Sequence, residues 1–218
     1  MRRFPVLAIA ALCLAAPQAA LAQGKLLAPT IAPQPRGVYA TIDMRPTEEM
    51  IRRLGAAQGS DRRAAIREVE ADPSAHMPPV LYALANALSE DHAEEAIFWY
   101  HLGRIRAVYD ALRCRDKSAN AGLLYLRTRI GRELSTSQYY RRERLVAIAQ
   151  KAVDWDTKNP RKYDHRWIAL YGKVAASSAG TNPDEITVAQ SEWPVILRYV
   201  HESHLKSVRD FANEKKGK

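Results

Sequence analysis

Residues 80–113 read VLYALANALSEDHAEEAIFWYHLGRIRAVYDALR, and their periodicity decides the fold class. Apolar residues recur every three to four positions on both sides of the polar turn Ser89-Glu90-Asp91-His92, which is the pattern of two amphipathic helices. Through the second helix, at roughly 100° per residue, Ile97, Phe98, Leu102, Ile105, Val108, Tyr109 and Leu112 fill a wide arc. Tyr100, Ala107 and Ala111 extend it, so the helix is expected to be central and covered from two directions. His101 and Arg104 lie inside the arc at i, i+3 spacing. A guanidinium there needs a partner, usually a carboxylate. The pair reads either as a network fastening neighbouring helices or as the lining of a pocket for an anionic group. Trp99 turns toward the side of Glu95, Arg106 and Asp110, where an exposed indole beside Arg106 would suit a partner contact.

The same helical grammar runs outward from this hairpin. Thr47 and Ser60 each precede acids at a helix start, and Pro78-Pro79 opens the hairpin itself. Leu123, Leu126, Ile130 and Leu134 make one stripe, and Leu145, Ile148, Ala149, Ala152 and Trp155 the next. Asn159-Pro160 ends that helix, Asp164 caps one carrying Trp167 and Leu170, and Asn182-Pro183-Asp184-Glu185 starts another. A last helix runs from about Trp193 toward Asn213. No alternating strand pattern interrupts them. The expectation is all-α: a helical-hairpin bundle or short solenoid-like array of about seven or eight helices, as one domain over residues 47–218.

Small residues Ala83, Ala87 and Ala96 stand where the hairpin's helices would approach closely. With Glu95-Ala96, Trp99-Tyr100 and Gly103 they make residues 80–113 similar to one hairpin of the tetratricopeptide and related solenoid repeats. That resemblance implies a protein-binding or scaffold role. No second copy follows at a fixed period. The whole chain also resembles exported helical proteins of Gram-negative bacteria, a likeness that implies location and no chemistry.

Residues 1–22 have the order of a cleaved Sec-type signal peptide: Arg2 and Arg3, an apolar run from Val6 to Ala16, then Ala20-Leu21-Ala22. The run falls short of the roughly 20 residues that span a bilayer, so no transmembrane anchor is expected after cleavage. Residues 23–46, with Pro29, Pro33, Pro35 and Pro46, read as a proline-rich extended lead-in. Cleavage near Ala22-Gln23 places the protein in the periplasm or outside the cell. It also leaves Cys114 as the one thiol, expected to be buried and inert. The net charge of +9 suits anionic surfaces or acidic protein partners; nucleic acid is not the partner expected of an exported chain.

Three further constellations carry candidate chemistry. His201 and His204 stand at i, i+3 and would need a third ligand to hold a metal; His204 falls in the stripe of Trp193, Leu197, Val200, Val208 and Phe211, which suits a core imidazole. Tyr139, Tyr140 and Arg141, followed by Arg142 and Arg144, form a basic aromatic edge. His165 and Arg166 follow Asp164 in a first helical turn, where cations oppose the helix dipole, so this corner is a binding candidate. No nucleophile elbow, phosphate loop, dinucleotide fingerprint or zinc framework occurs, so no catalytic residue and no cofactor is assigned. The leading expectation is a non-enzymatic helical binding or scaffold protein of the cell envelope holding a protein partner. An immunity-type role against a delivered toxin is one version. The alternatives are a small envelope hydrolase or metal-dependent enzyme using a histidine cluster, and a periplasmic carrier whose Arg104 pairs an anion.

Overall fold

The computed structural model describes residues 35–177 and 186–214. The expected signal peptide and the helix start expected at Asn182–Glu185 lie outside those residues. The chain is all-α. Helices α1 (Arg45–Leu54), α2 (Ser60–Ala71), α3 (Pro78–Leu88) and α4 (Ala93–Arg113) come first. Then follow α5 (Ala121–Arg127), α6 (Arg132–Tyr140), α7 (Arg142–Lys158), a 3-10 helix at His165–Tyr171, α8 (Lys173–Ser177) and α9 (Trp193–Asn213). Among the described residues the only β-type pairing is an isolated antiparallel bridge between Cys114 and Thr187. None of the described helices is long and apolar enough to cross a membrane.

Two of these elements follow directly from local chemistry. Helix α3 begins on Pro78-Pro79, whose missing N–H groups would have no intrahelical partner there anyway. Helix α4 has Glu94 and Glu95 in its first turn and Arg113 in its last, each favoured by the helix dipole.

The sequence expectations need correction at three places. The stripe from Leu123 to Leu134 is two helices instead of one. The Asn86 amide on α3 inserts at the junction, donating to the Arg129 carbonyl at 2.6 Å and accepting from Gly131 N–H at 2.8 Å. The packed domain also starts earlier than Thr47, because Tyr39, Ile42 and Met44 of the expected lead-in are buried around a 3-10 turn at Gly37–Thr41. At Asp164 the side chain does cap, accepting from Arg166 N–H at 2.9 Å, but the helix it caps is 3-10.

Helix α4 is the spine. One apolar cluster joins it to α1, α2, α3, α6, α7 and α9, with Leu81, Leu84, Ile97, Leu102, Ile105 and Leu145 wholly covered. A second lies against its other flank, where Ala107, Ala111 and Cys114 meet Trp167, Ile168, Leu126 and Tyr39. The expectation of a helix covered from two directions describes this arrangement.

Close approach of α3 and α4 depends on Gly103. A Cβ at that position would stand 3.0 Å from the Tyr82 ring and 3.1 Å from Leu81 Cβ. Tyr82 is itself held edge-on to Tyr100 at 5.5 Å between ring centroids, so it has little room to yield. We predict that Gly103→Val lowers the free energy of unfolding by about 1–3 kcal/mol. Urea titration should show a lower midpoint with an unchanged slope. An unchanged midpoint would mean that Tyr82 moves aside freely.

Candidate functional site

Helices α4, α6, α7 and α9 leave an open cleft of about 490 Å³. Its charged lining is Arg104 from α4 and Arg127 from the end of α5; Ser135, Gln138 and Ser207 add neutral polar groups. Leu145, Val208 and Phe211 supply apolar lining. No Asp or Glu is among the described lining residues, and neither guanidinium forms an ion pair among the described residues. The same two arginines line an adjoining depression of about 300 Å³ with Tyr82, Val108, Leu123 and Leu124. By contrast, a groove of about 390 Å³ between α2 and the α3–α4 turn mixes both signs, setting Arg62 and Arg67 beside Glu70 and Glu95.

His101 and His204 also line the Arg104–Arg127 cleft. His204 Nε2 lies 3.1 Å from His101 Nδ1, one nitrogen donating to the other, and the rings meet edge to face. Both side chains are buried, and His101 Nε2 has no hydrogen-bond partner among the described residues. Burial, the neighbouring imidazole and the charge of Arg104 hold His101 well below the ordinary histidine range. Burial, then Arg104 and His201, bring His204 down to about 4. At neutral pH the pair is therefore uncharged, and the positive charge of the cleft sits on its arginines.

The other charged group of note is internal. Asp156 on α7 is inaccessible to solvent and accepts from three elements. Arg106 Nε on α4 donates to it at 2.9 Å, Arg161 donates from the segment after α7, and His201 Nε2 on α9 donates at 2.9 Å. Arg106 also donates from Nη1 to the Pro73 carbonyl and from Nη2 to the Asn159 carbonyl. Burial acts to raise the Asp156 carboxyl, but the His201 hydrogen bond and the charges of Arg161 and Arg106 outweigh it and hold the group below the usual range. Beside it, Asp110 accepts from Arg113, from Trp167 Nε1 at 2.8 Å and from Tyr163 Oη at 3.0 Å.

This geometry corrects the reading of Trp99 and Arg106. Neither forms an exposed partner face: Trp99 is buried in the core, and Arg106 is 0% exposed in the Asp156 network. The helical wheel assumed a solvent side for α4, and α7 and α9 occupy it. Arg104 is the reverse case, half-buried on the cleft without the carboxylate expected of it. His201 and His204 diverge, one to Asp156 and one to His101, and no group of three metal-donor side chains converges among the described residues.

The remaining candidates are dispersed. Tyr139 and Tyr140 are exposed and pack edge to face, with Arg141 half-buried behind them; Arg144 pairs with Glu94 at 3.1 Å. Arg166 folds back onto Asp164, which answers the dipole conflict of that turn. His165 stacks edge-on to Trp193, and burial with the charge of Arg113 lowers it to about 4. Cys114 is buried, and burial raises its thiol. Arg127 and Asp156 carried no signal in the sequence, because the long-range closure that gives each its neighbours leaves no local pattern.

Two consequences are measurable. Asp156→Asn removes the carboxylate hydrogen-bonded to Arg106 and Arg161, and we expect a loss of roughly 3–5 kcal/mol in denaturant titrations. A loss under about 1 kcal/mol would show that both arginines find other acceptors. This contribution is present above the ordinary Asp pKa near 4 and fades as pH falls through the lower folded value. The imidazoles act in a higher window. His204 and His165 protonate near 4 when folded and, like all histidines, near about 6.5 when unfolded. The unfolded chain thus binds more protons between those values, and stability falls as pH drops from about 6.5 to 4. Imidazole nitrogen spectra near pH 5.5 should show His101 and His204 neutral; a protonated pair there would contradict the burial described.

Compared with known proteins, the chain matches no family model, no curated protein and no solved structure.

Proposed function

We propose that this chain is a non-enzymatic binding protein that seats an anion in the cleft lined by Arg104 and Arg127. One observation carries the reading: two guanidiniums without ion-pair partners among the described residues share a cleft whose described lining holds no carboxylate. Guanidinium forks match carboxylate and phosphate groups, and both arginines are left with donors to offer. The scatter of the histidines favours binding over chemistry. His101 and His204 bond to each other, His201 to Asp156, and His165 stacks on Trp193, so no imidazole is poised with an acid at the cleft. With the signal-like N-terminus, the reading is of an anion carrier or receptor in the cell envelope.

A second reading, a protein partner held at the outer edge, keeps one support. Tyr139 and Tyr140 are 41% and 69% exposed on adjacent positions of α6, an aromatic pair of the type that anchors interfaces.

The carrier reading is tested by titrating acetate and inorganic phosphate into isotope-labelled protein. We expect saturable shifts of the Arg104 and Arg127 Nε–H signals, and affinity about 10–100-fold weaker in Arg104→Met and in Arg127→Met. Shifts that never saturate, or that persist unchanged in both variants, would overturn it.

A further inference from the structure

The cleft sets its charge and its apolar surface apart. The charge lies on Arg104 and Arg127, whereas the imidazoles of His101 and His204 stay neutral; the partly exposed apolar lining is Tyr100, Ile130 and Phe211, while Leu145 and Val208 are buried in the core. Across the same two arginines the adjoining depression adds Leu123, Val108 and Leu124, the last 62% exposed, beside the polar Asn120. A small inorganic anion would leave all this apolar surface facing water. A neutral apolar ligand would leave two guanidiniums without a counter-charge. Surface of both kinds around one pair of cations is matched by a molecule that carries both.

Resting on the anion-binding reading, we propose that the ligand is an amphiphilic anion: a carboxylate head held by Arg104 and Arg127, and a single hydrocarbon chain laid along Tyr100, Ile130 and Phe211. Each methylene taken out of water strengthens such binding, so even a partly covered chain multiplies affinity many-fold. The head group sets orientation through the guanidiniums, and the chain supplies most of the affinity. Ser135, Gln138 and Ser207 line the same cleft as neutral polar groups and add no competing negative charge.

Calorimetry on the mature chain distinguishes the parts, using dodecanoate below its micelle-forming concentration, acetate and dodecanol. We expect dodecanoate to bind at least 100-fold more tightly than acetate and at least 10-fold more tightly than dodecanol. Ile130→Ser with Phe211→Ser should cut the dodecanoate advantage at least tenfold while leaving the acetate-induced Arg104 and Arg127 shifts in place. Those shifts also report that the double variant is folded. If dodecanoate binds no better than acetate, the amphiphile proposal fails and the anion reading stands. If dodecanol binds as well as dodecanoate, or if none of the three binds, the amphiphile proposal fails; the anion reading fails with it only if acetate and inorganic phosphate both leave the guanidinium signals without saturable shifts.

Discussion

Asp156 is the constraint on which the rest of the architecture turns. A carboxylate without solvent contact is costly, and here it persists because α4, α9 and the segment after α7 each send it a donor. Those donors fix the three elements relative to one another. Asp110, one turn along α4 from Arg106, does the same for the 3-10 helix through Trp167 and for Tyr163 ahead of it. Two buried acids thus hold the packing around the spine in one register, which apolar contacts alone leave less tightly defined.

Charge is distributed in this protein by position along α4. At Arg106, Asp110 and Arg113 the helix is enclosed, and every charge meets an opposite one or an aromatic face; Arg113 lies 4.0 Å from the Tyr109 ring centroid and 4.5 Å from that of Trp193. Half a turn earlier, at Arg104, the enclosure opens into the cleft and the compensation stops. The contrast between neighbouring arginines on one helix is what separates scaffold from candidate site.

Much of the fold was legible in the sequence because helices announce themselves locally. Pro78-Pro79, the Ser89–His92 turn, Asn159-Pro160 and the Trp193–Asn213 stripe each mark an element where it is found. The break at Gly131 was not legible, since it is made by Asn86 from another helix. The site was legible only in part. His101 and Arg104 stood out as polar residues in an apolar arc, but periodicity cannot say which arc faces solvent once a helix is covered on all sides. Arg106 and Trp99 were misplaced for that reason, and Arg127 gained its meaning only when the end of α5 came to rest opposite Arg104.

Helix α9 carries His201 and His204 three residues apart, the first tied to Asp156 and the second forming the cleft wall with His101. The cleft wall therefore cannot shift as a rigid helix without straining a buried ion network one turn away. On the proposed reading a guest would meet walls already set, with little conformational entropy left to lose on its arrival. In kinetic terms, uptake would then be by fit to a standing shape, with no closing step to wait for.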